Sequence, residues 1–462
     1  MRHRLLALAV VLVTVRVATI TAYRDTLYYY GMVANQFGIA EGAYRGHWFA
    51  LDPGIAGAAV QTANRENRYV PIEEWKTFPP SGIYRTFPAV DLPGFGYVIA
   101  FTSRAAGGEL TTRYAMAVQV AVETASVLLF AWCVGLVRGR RVGGLTGLVY
   151  ALGYPFQWPI ASHPMRDVFV LGSYAAGVAA TLVLLRSRGA RAWALALALL
   201  AAGSALLWIR PHGYYYFFCL VPLVALARGV PVRTRVAAAF ALVAVPLLAF
   251  GLPLRQFNMR HYGVPQTDSV GLALWQQLGA IPDNPYGFVR RDEAMVPWVK
   301  AYHGRDVDYA SPEMNRLLGE YARKVVREHP GYYLRVVGTI ALEIARTPLD
   351  LVPPFRTVEY STSGLSPAEY ARAYPVAFAF KLFNRVLMAL YFYGGIALAG
   401  WLLLRQPGRR LEVAILLSPF LYTLASQLLV VFNQRYMASG AWALSLPIAY
   451  AIDALLERRR AG

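Results

Sequence analysis

Charge is what this sequence has least of. Only 15% of its 462 residues are Asp, Glu, Lys or Arg, whereas 57% are hydrophobic. A soluble domain carries about 25% charged residues and lacks repeated spans of about 20 apolar ones, so composition argues for a polytopic membrane protein. Cysteine is nearly absent. Cys133 and Cys219 both fall in apolar stretches and read as buried, which leaves out a disulfide framework and a zinc site. HExxH, paired CxxC and Walker sequences are all missing, and with them go zinc hydrolysis and ATP-driven pumping. No solenoid-type repeat is visible. Lysine is scarce beside arginine and alanine is abundant, a usage that hints at a GC-rich bacterial genome. Formal net charge is +19, but the basic residues do not gather in one domain, which argues against nucleic acid as a partner.

What is present is a series of long apolar spans: 5–22, 113–137, 143–162, 167–186, 192–209, 213–228, 234–254, 379–404, 411–431 and 436–456. The first exceeds the roughly 7–15 residues of a secretory h-region and reads as a retained helix. Arginine clusters punctuate these spans. They are Arg2 and Arg4; Arg138, Arg140 and Arg141; Arg186, Arg188 and Arg191; Arg228, Arg233 and Arg235; Arg405, Arg409 and Arg410; and Arg458 to Arg460. All fall on one side if ten helices cross with both termini inside, as the positive-inside rule requires. The expected class is therefore an all-α polytopic membrane protein of about ten spans, placed in a bacterial plasma membrane. Two apolar runs do not fit as spans. Pro93 to Ser103 is too short, and Tyr332 to Pro353 carries Arg335, Glu343 and Arg346. Both read as interfacial or re-entrant helices.

Two long outer segments result, about 23–112 and 255–378, and loops of that length are functional or form small domains. The domain reading is a first membrane module, 1–254, then an outer region, 255–378, and closing helices, 379–462. Within the outer region Ser311 to His329 reads as a helix capped by Ser311 with Glu313 in its first turn.

Polar groups at membrane depth are costly and are either satisfied inside the bundle or used. Tyr23-Arg24-Asp25, followed by Tyr28 to Tyr30, places a carboxylate just outside the first span among interfacial aromatics. The bland alternative is an anchor in which Arg24 and Asp25 neutralise each other. His163-Pro164-Met165-Arg166-Asp167 fills a tight outer turn, where Arg166 can hold a phosphate by two parallel hydrogen bonds and Asp167 can orient it. Asp167 near a helix start also suits the helix dipole. Arg210-Pro211-His212 ends the fifth span and Asn433-Gln434-Arg435-Tyr436 opens the last, adding two outer arginines. A single such arginine is ordinary snorkelling; three suggest an anion pocket. Asp91, before Pro93-Gly94, suits a turn as well as a site. Glu123 lies within the second span, facing a water-filled cavity or a polar partner. Asp306-Val307-Asp308 is an acidic pair of the sort that binds divalent metal, and chance produces it readily.

Taken in order, these clusters resemble the GT-C superfamily of integral membrane glycosyltransferases. The likeness is to the branch of dolichyl-phosphate-mannose–protein mannosyltransferases and bacterial aminoarabinose transferases. It is carried by Asp25-Thr26-Leu27-Tyr28, Asp91-Leu92-Pro93-Gly94, Gly139-Arg140-Arg141, Arg210-Pro211, Asn284-Pro285, His329-Pro330-Gly331 and Arg435-Tyr436. Each motif is short, and the force lies in their order along nearly the whole chain. One departure stands out: many relatives carry Asp-Glu in the first loop, and here Thr26 follows Asp25.

The resemblance implies transfer of a sugar from a polyprenyl-phosphate donor to an extracytoplasmic acceptor, a protein, lipid or envelope glycan. It implies Asp25 as general base and Arg166, Arg210 and Arg435 on the donor phosphate, with Asp91, Asp167, His212, Tyr28 and Tyr436 in support. Single displacement would invert the anomeric centre. No cofactor is indicated, and a divalent metal stays open. The rival classes are a transporter or lipid-linked-sugar flippase and a non-catalytic envelope scaffold. A secondary transporter is expected to show broken helices and repeat symmetry, and neither is evident in the sequence.

Overall fold

The computed structural model of the chain describes residues 2–23, 30–48, 50–51, 54, 58, 62, 77–78, 85–86, 92–153, 166–186, 189–265, 270–290, 294–307, 311–350, 366–373, 375–430 and 434–461. Nearly all of these are helical. The one β pairing among them is a two-residue antiparallel contact, Ala50 opposite Thr86 and Leu51 opposite Arg85.

Helix α1 (Arg2–Tyr23) shows why a membrane helix at the rim of a bundle has two faces. Leu8, Leu12 and Arg16, four residues apart, are buried, while Leu6, Val10, Val13 and Val17 face outward. Helices α2 (Tyr30–Tyr44) and α3 (Gly94–Ala105) pack on each other. The run beginning at Pro93 is thus a 12-residue helix, too short to cross. Next come α4 (Arg113–Arg138), α5 (Arg140–Gly153), α6 (Arg166–Arg186, starting with a 3-10 turn) and α7 (Ala190–Trp208). The expected sixth span is not one helix but short pieces, among them α8 (Tyr214–Cys219) and α9 (Val221–Ala225). Pro222 has no N–H to close the ladder across the break at Leu220. Then follow α10 (Val232–Tyr262), α11 (Val270–Leu278), α12 (Met295–His303), α13 (Pro312–Glu328) and α14 (Pro330–Asp350). The chain closes with α15 (Val386–Arg405), α16 (Arg410–Leu429), α17 (Gln434–Ala441) and α18 (Ser445–Ala461).

Seven helices among the described residues are long and apolar enough to cross a membrane: α4, α6, α7, α10, α15, α16 and the stretch Ser439–Arg460. They make this a multi-pass membrane protein. The expected first, third and sixth spans are not among the seven. The first counts only as a shorter apolar helix, Leu5–Ala18, and the third is described only to Gly153. Helix α14 is also outside the seven; it buries Tyr332, Val336, Ile340 and Ile344 on one stripe and leaves Leu334 and Leu342 exposed.

Helix α6 is the hub, with 94% of its apolar window buried. Small residues permit this. A side chain on Gly172 would collide with Leu206, and one on Gly177 with the Tyr216 ring, so large side chains of neighbouring helices pack into the notches these glycines leave. Of the two cysteines, Cys133 is buried as expected, whereas Cys219 lies exposed on the bundle surface.

Four of the six arginine clusters meet at one end of the bundle. Arg138 donates to Gln406, Arg186 pairs with Glu412 at 2.5 Å and donates to the Leu136 carbonyl, and Arg141 pairs with Asp453 at 2.7 Å. The turns after α4 and α6, the α15–α16 turn and the end of α18 therefore share a face, as the charge pattern required. Glu123 has the polar partner that its depth demanded. Arg16 Nε donates to it at 2.7 Å, a second Arg16 nitrogen donates to its other oxygen, and the Tyr150 hydroxyl donates at 2.5 Å. The pair binds α1 to α4 and, through Tyr150, to α5.

The outer region docks on the same bundle. Gln277 donates to the Gln427 and Leu428 carbonyls at 3.1 and 3.0 Å, and the Tyr333 hydroxyl to Leu429 at 2.7 Å. The Ser311 cap is present, its hydroxyl accepting from Met314 N–H at 3.1 Å.

Candidate active site at the face opposite the arginine clusters

Helix α6 runs from Arg166 to Arg186, so its first turn lies at the end of the bundle away from the arginine-rich face. Helix α7 returns antiparallel and delivers Arg210 to that same end. Arg210 precedes Pro211, and the clash of the proline ring with a helical predecessor holds it extended, at φ −145° and ψ 105°. This breaks the helix where its side chain must turn inward.

The two turns meet. Arg210 Nε lies 3.0 Å from Asp167 Oδ1, with both side chains almost wholly buried. Arg166, the neighbour of Asp167, is only 6% exposed. A buried guanidinium–carboxylate pair thus stands at this end of the bundle, with a second buried arginine next to it in the chain. A buried ion pair is seldom a net gain in stability, and a second arginine, Arg166, is buried in the same turn. Chemically the arrangement suits an anion, since guanidinium groups bind phosphate oxygens in pairs and low dielectric strengthens the attraction.

Other parts of the expected site surround this cluster. The N-terminal turn of α3 presses on the Arg210 segment. A Cβ on Gly94 would lie 2.5 Å from the Trp208 carbonyl oxygen and 2.8 Å from Ile209 N. Gln36 of α2 fastens the same turn, its amide oxygen accepting from Gly96 N–H at 3.0 Å and its nitrogen donating to Leu92 O at 3.3 Å. Helix α17, which contains Arg435, packs on the turn 166–168 and on α6. His212 is half-buried, and its carbonyl accepts from the Tyr422 hydroxyl at 3.0 Å.

Of the expected site residues, then, Arg166, Asp167, Arg210 and His212 are described; Asp167 and Arg210 come together, and Arg166 is buried next to Asp167 in the chain. Asp25, Tyr28 and Asp91 lie outside the described residues, as do the side chains of Arg435 and Tyr436. Gln36 was not singled out from sequence, and a lone Gln in an apolar helix gives little signal for it. No group of three metal-ligating side chains occurs among the described residues. Asp306 is an exposed partner of Lys300 at 3.0 Å, and Asp308 is outside the described residues. Asn284 closes its own loop, donating to the Ile281 and Phe288 carbonyls at 3.0 and 2.7 Å. His329 lies against the Tyr286 ring with centroids 4.9 Å apart. Both motifs have structural work in the outer region.

No family profile matches the chain, and no curated protein matches it by sequence. Solved structures do match. The Archaeoglobus fulgidus oligosaccharyltransferase, in complex with zinc and sulfate, is similar over 98% of this chain at 13% identity, with a TM-score of 0.50. The same archaeal protein with an inhibitory peptide and a dolichol-phosphate gives 11% identity over 99% of this chain and 51% of its own, with a TM-score of 0.49. ArnT from Cupriavidus metallidurans bound to undecaprenyl phosphate gives 13% identity, 96% and 77% coverage and a TM-score of 0.37. The chain spans about half the length of the archaeal enzyme, 49% of it. The likeness at a TM-score of 0.50 is one of fold, a helical membrane architecture similar to that of the archaeal oligosaccharyltransferase.

Proposed function

We propose that this chain, whose fold is GT-C-like, is a membrane glycosyltransferase that moves a sugar from a polyprenyl-phosphate donor to an acceptor. The reaction takes place at the face opposite the arginine clusters, the extracytoplasmic side of a bacterial plasma membrane. The observation that carries this reading is the buried Asp167–Arg210 ion pair, with buried Arg166 beside Asp167 in the chain, at the start of the central helix. Likeness of fold to an oligosaccharyltransferase supports the transferase class.

In the reaction, Asp25 takes the proton from the acceptor hydroxyl as its oxygen bonds to the anomeric carbon. The bond from that carbon to the phosphate oxygen breaks, and its electron pair leaves on the polyprenyl phosphate. One displacement inverts the anomeric centre. A positioned general base contributes ~10²–10⁴-fold. Arg166 and Arg210, joined by Arg435 from α17, stabilise the charge gathering on the leaving phosphate, and fixed donors in a dry site are the larger catalytic effect. Asp167 orients Arg210, while His212, Asp91, Tyr28 and Tyr436 border the sugar. The proton on Asp25 passes to water before the next turnover.

The test uses proteoliposomes holding the full chain and a polyprenyl phosphate carrying a radiolabelled sugar. Label should leave the lipid fraction with wild type and stay there with Asp25→Asn, while both proteins insert equally. Normal release by Asp25→Asn would remove the base. Label that crosses the bilayer still attached to its lipid would identify a flippase instead.

A further inference from the structure

The turn between α4 and α5 carries three arginines, and two are engaged by the protein. Arg138 donates to Gln406 and lies over the Tyr450 ring, 4.4 Å from its centroid, and Arg141 pairs with Asp453. Arg140 is exposed and has no protein partner among the described residues. Arg140 is one of the residues lining a cavity of about 260 Å³ between α1, α4 and α5, together with Leu5, Leu8, Trp132, Gly135 and Gly144. Most of the other lining residues are apolar or glycine, and the neighbouring Leu6 and Leu136 are exposed apolar side chains.

The glycines divide into two kinds. Gly143 is required by packing, because a Cβ there would strike the Ala131 carbonyl and hold α4 and α5 apart. Gly144 is not: a Cβ there would meet no atom within 4 Å. Protein contacts account for the first glycine and leave the space beside the second unfilled. An apolar slot capped by a cation at the arginine-rich edge of a bundle matches the chemistry of an anionic lipid, head group outward and chain inward.

We propose that this cavity holds one anionic glycerophospholipid of the surrounding bilayer, its phosphate on Arg140 and part of one acyl chain beside Gly144. The site is at the opposite end of the bundle from Arg210 and is independent of sugar transfer. Charge complementarity selects the occupant: a zwitterionic lipid places an ammonium against the same arginine-rich face.

Native mass spectrometry of the full chain tests this, after exchange with equimolar phosphatidylglycerol and phosphatidylcholine of matched acyl chains. One phosphatidylglycerol per chain should stay bound where phosphatidylcholine is stripped. Arg140→Gln should lower that retention about fivefold, the worth of one arginine at an anionic surface. Gly144→Leu, which fills space no protein atom occupies, should abolish it without lowering the melting temperature. Arg141→Gln, whose cation Asp453 already engages, should stay within twofold of wild type. Equal retention of the two lipids, or wild-type retention of phosphatidylglycerol by Arg140→Gln or Gly144→Leu, overturns the site.

Discussion

Removing Glu123 alone should harm this protein more than removing the whole triad to which it belongs. In Glu123→Leu the Arg16 guanidinium, 3% exposed, loses its carboxylate while still enclosed by α4 and α5. Breaking one side of a buried pair costs ~3–5 kcal/mol, and an arginine at the centre of a membrane helix costs about 2.5–3.5 kcal/mol on insertion scales. The two routes overlap near ~3 kcal/mol. The Tyr150 hydroxyl also loses its acceptor, adding about 1 kcal/mol. The expected loss is therefore ~4 kcal/mol. Replacing all three by apolar residues, Arg16→Leu with Glu123→Leu and Tyr150→Phe, removes the desolvation cost together with the attraction, and should leave stability within about 1 kcal/mol of wild type. Unfolding by rising SDS fraction in mixed micelles, followed by far-UV circular dichroism, reads both. A Glu123→Leu variant within 0.5 kcal/mol of wild type (roughly the scatter of neutral substitutions) would refute the reasoning. So would a triple variant as unstable as the single one.

At the candidate site, Arg210→Gln should lower sugar release from the labelled donor by ~10²–10³, the usual effect of losing one charge-stabilising donor. Arg210→Lys should recover part of it by keeping the charge without the planar fork; equal turnover by all three proteins would dismiss the phosphate role. Gly94→Ala should also depress turnover, because a Cβ 2.5 Å from the Trp208 oxygen forces α3 away from the Arg210 turn, at ~1–3 kcal/mol of overpacking. Gly108→Ala, in open space, is the matched control; a similar loss in both would mean that the Gly94 contact is not the cause.

Much of the fold could be read from the order of residues because a bilayer imposes strict rules on sequence. Helices α4, α6, α7, α10, α15 and α16 announce themselves by length and hydropathy. The arginine clusters announce the shared face, and the ion pairs of Arg141 and Arg186 now bear that out. Where the rules blur, expectation and structure part. Arg16 sits within an apolar run, where hydropathy averages hide one charge whose partner is 107 residues away. Hydropathy over 213–228 reads as one helix, since it is blind to a proline-broken hydrogen-bond ladder, and the structure has short pieces there. Arg166 and Arg210 could be nominated, as arginines at outer helix ends are few. Gln36 could not, because its role depends on α3 folding back against α2.

Sequence alone settled the solvent of this protein, the helical class, and the end of the bundle where its arginines collect. Those properties follow from the transfer energies of single residues and add along the chain. Tertiary structure decided which charges meet: Arg210 with Asp167 across two antiparallel helices, Arg16 with Glu123 between α1 and α4. Pairing is a matter of helix rotation and depth, and these are set by glycine-sized gaps such as those at Gly94, Gly143 and Gly172. A periodic apolar pattern is nearly unchanged when a helix turns or slides, so only packing could make that choice.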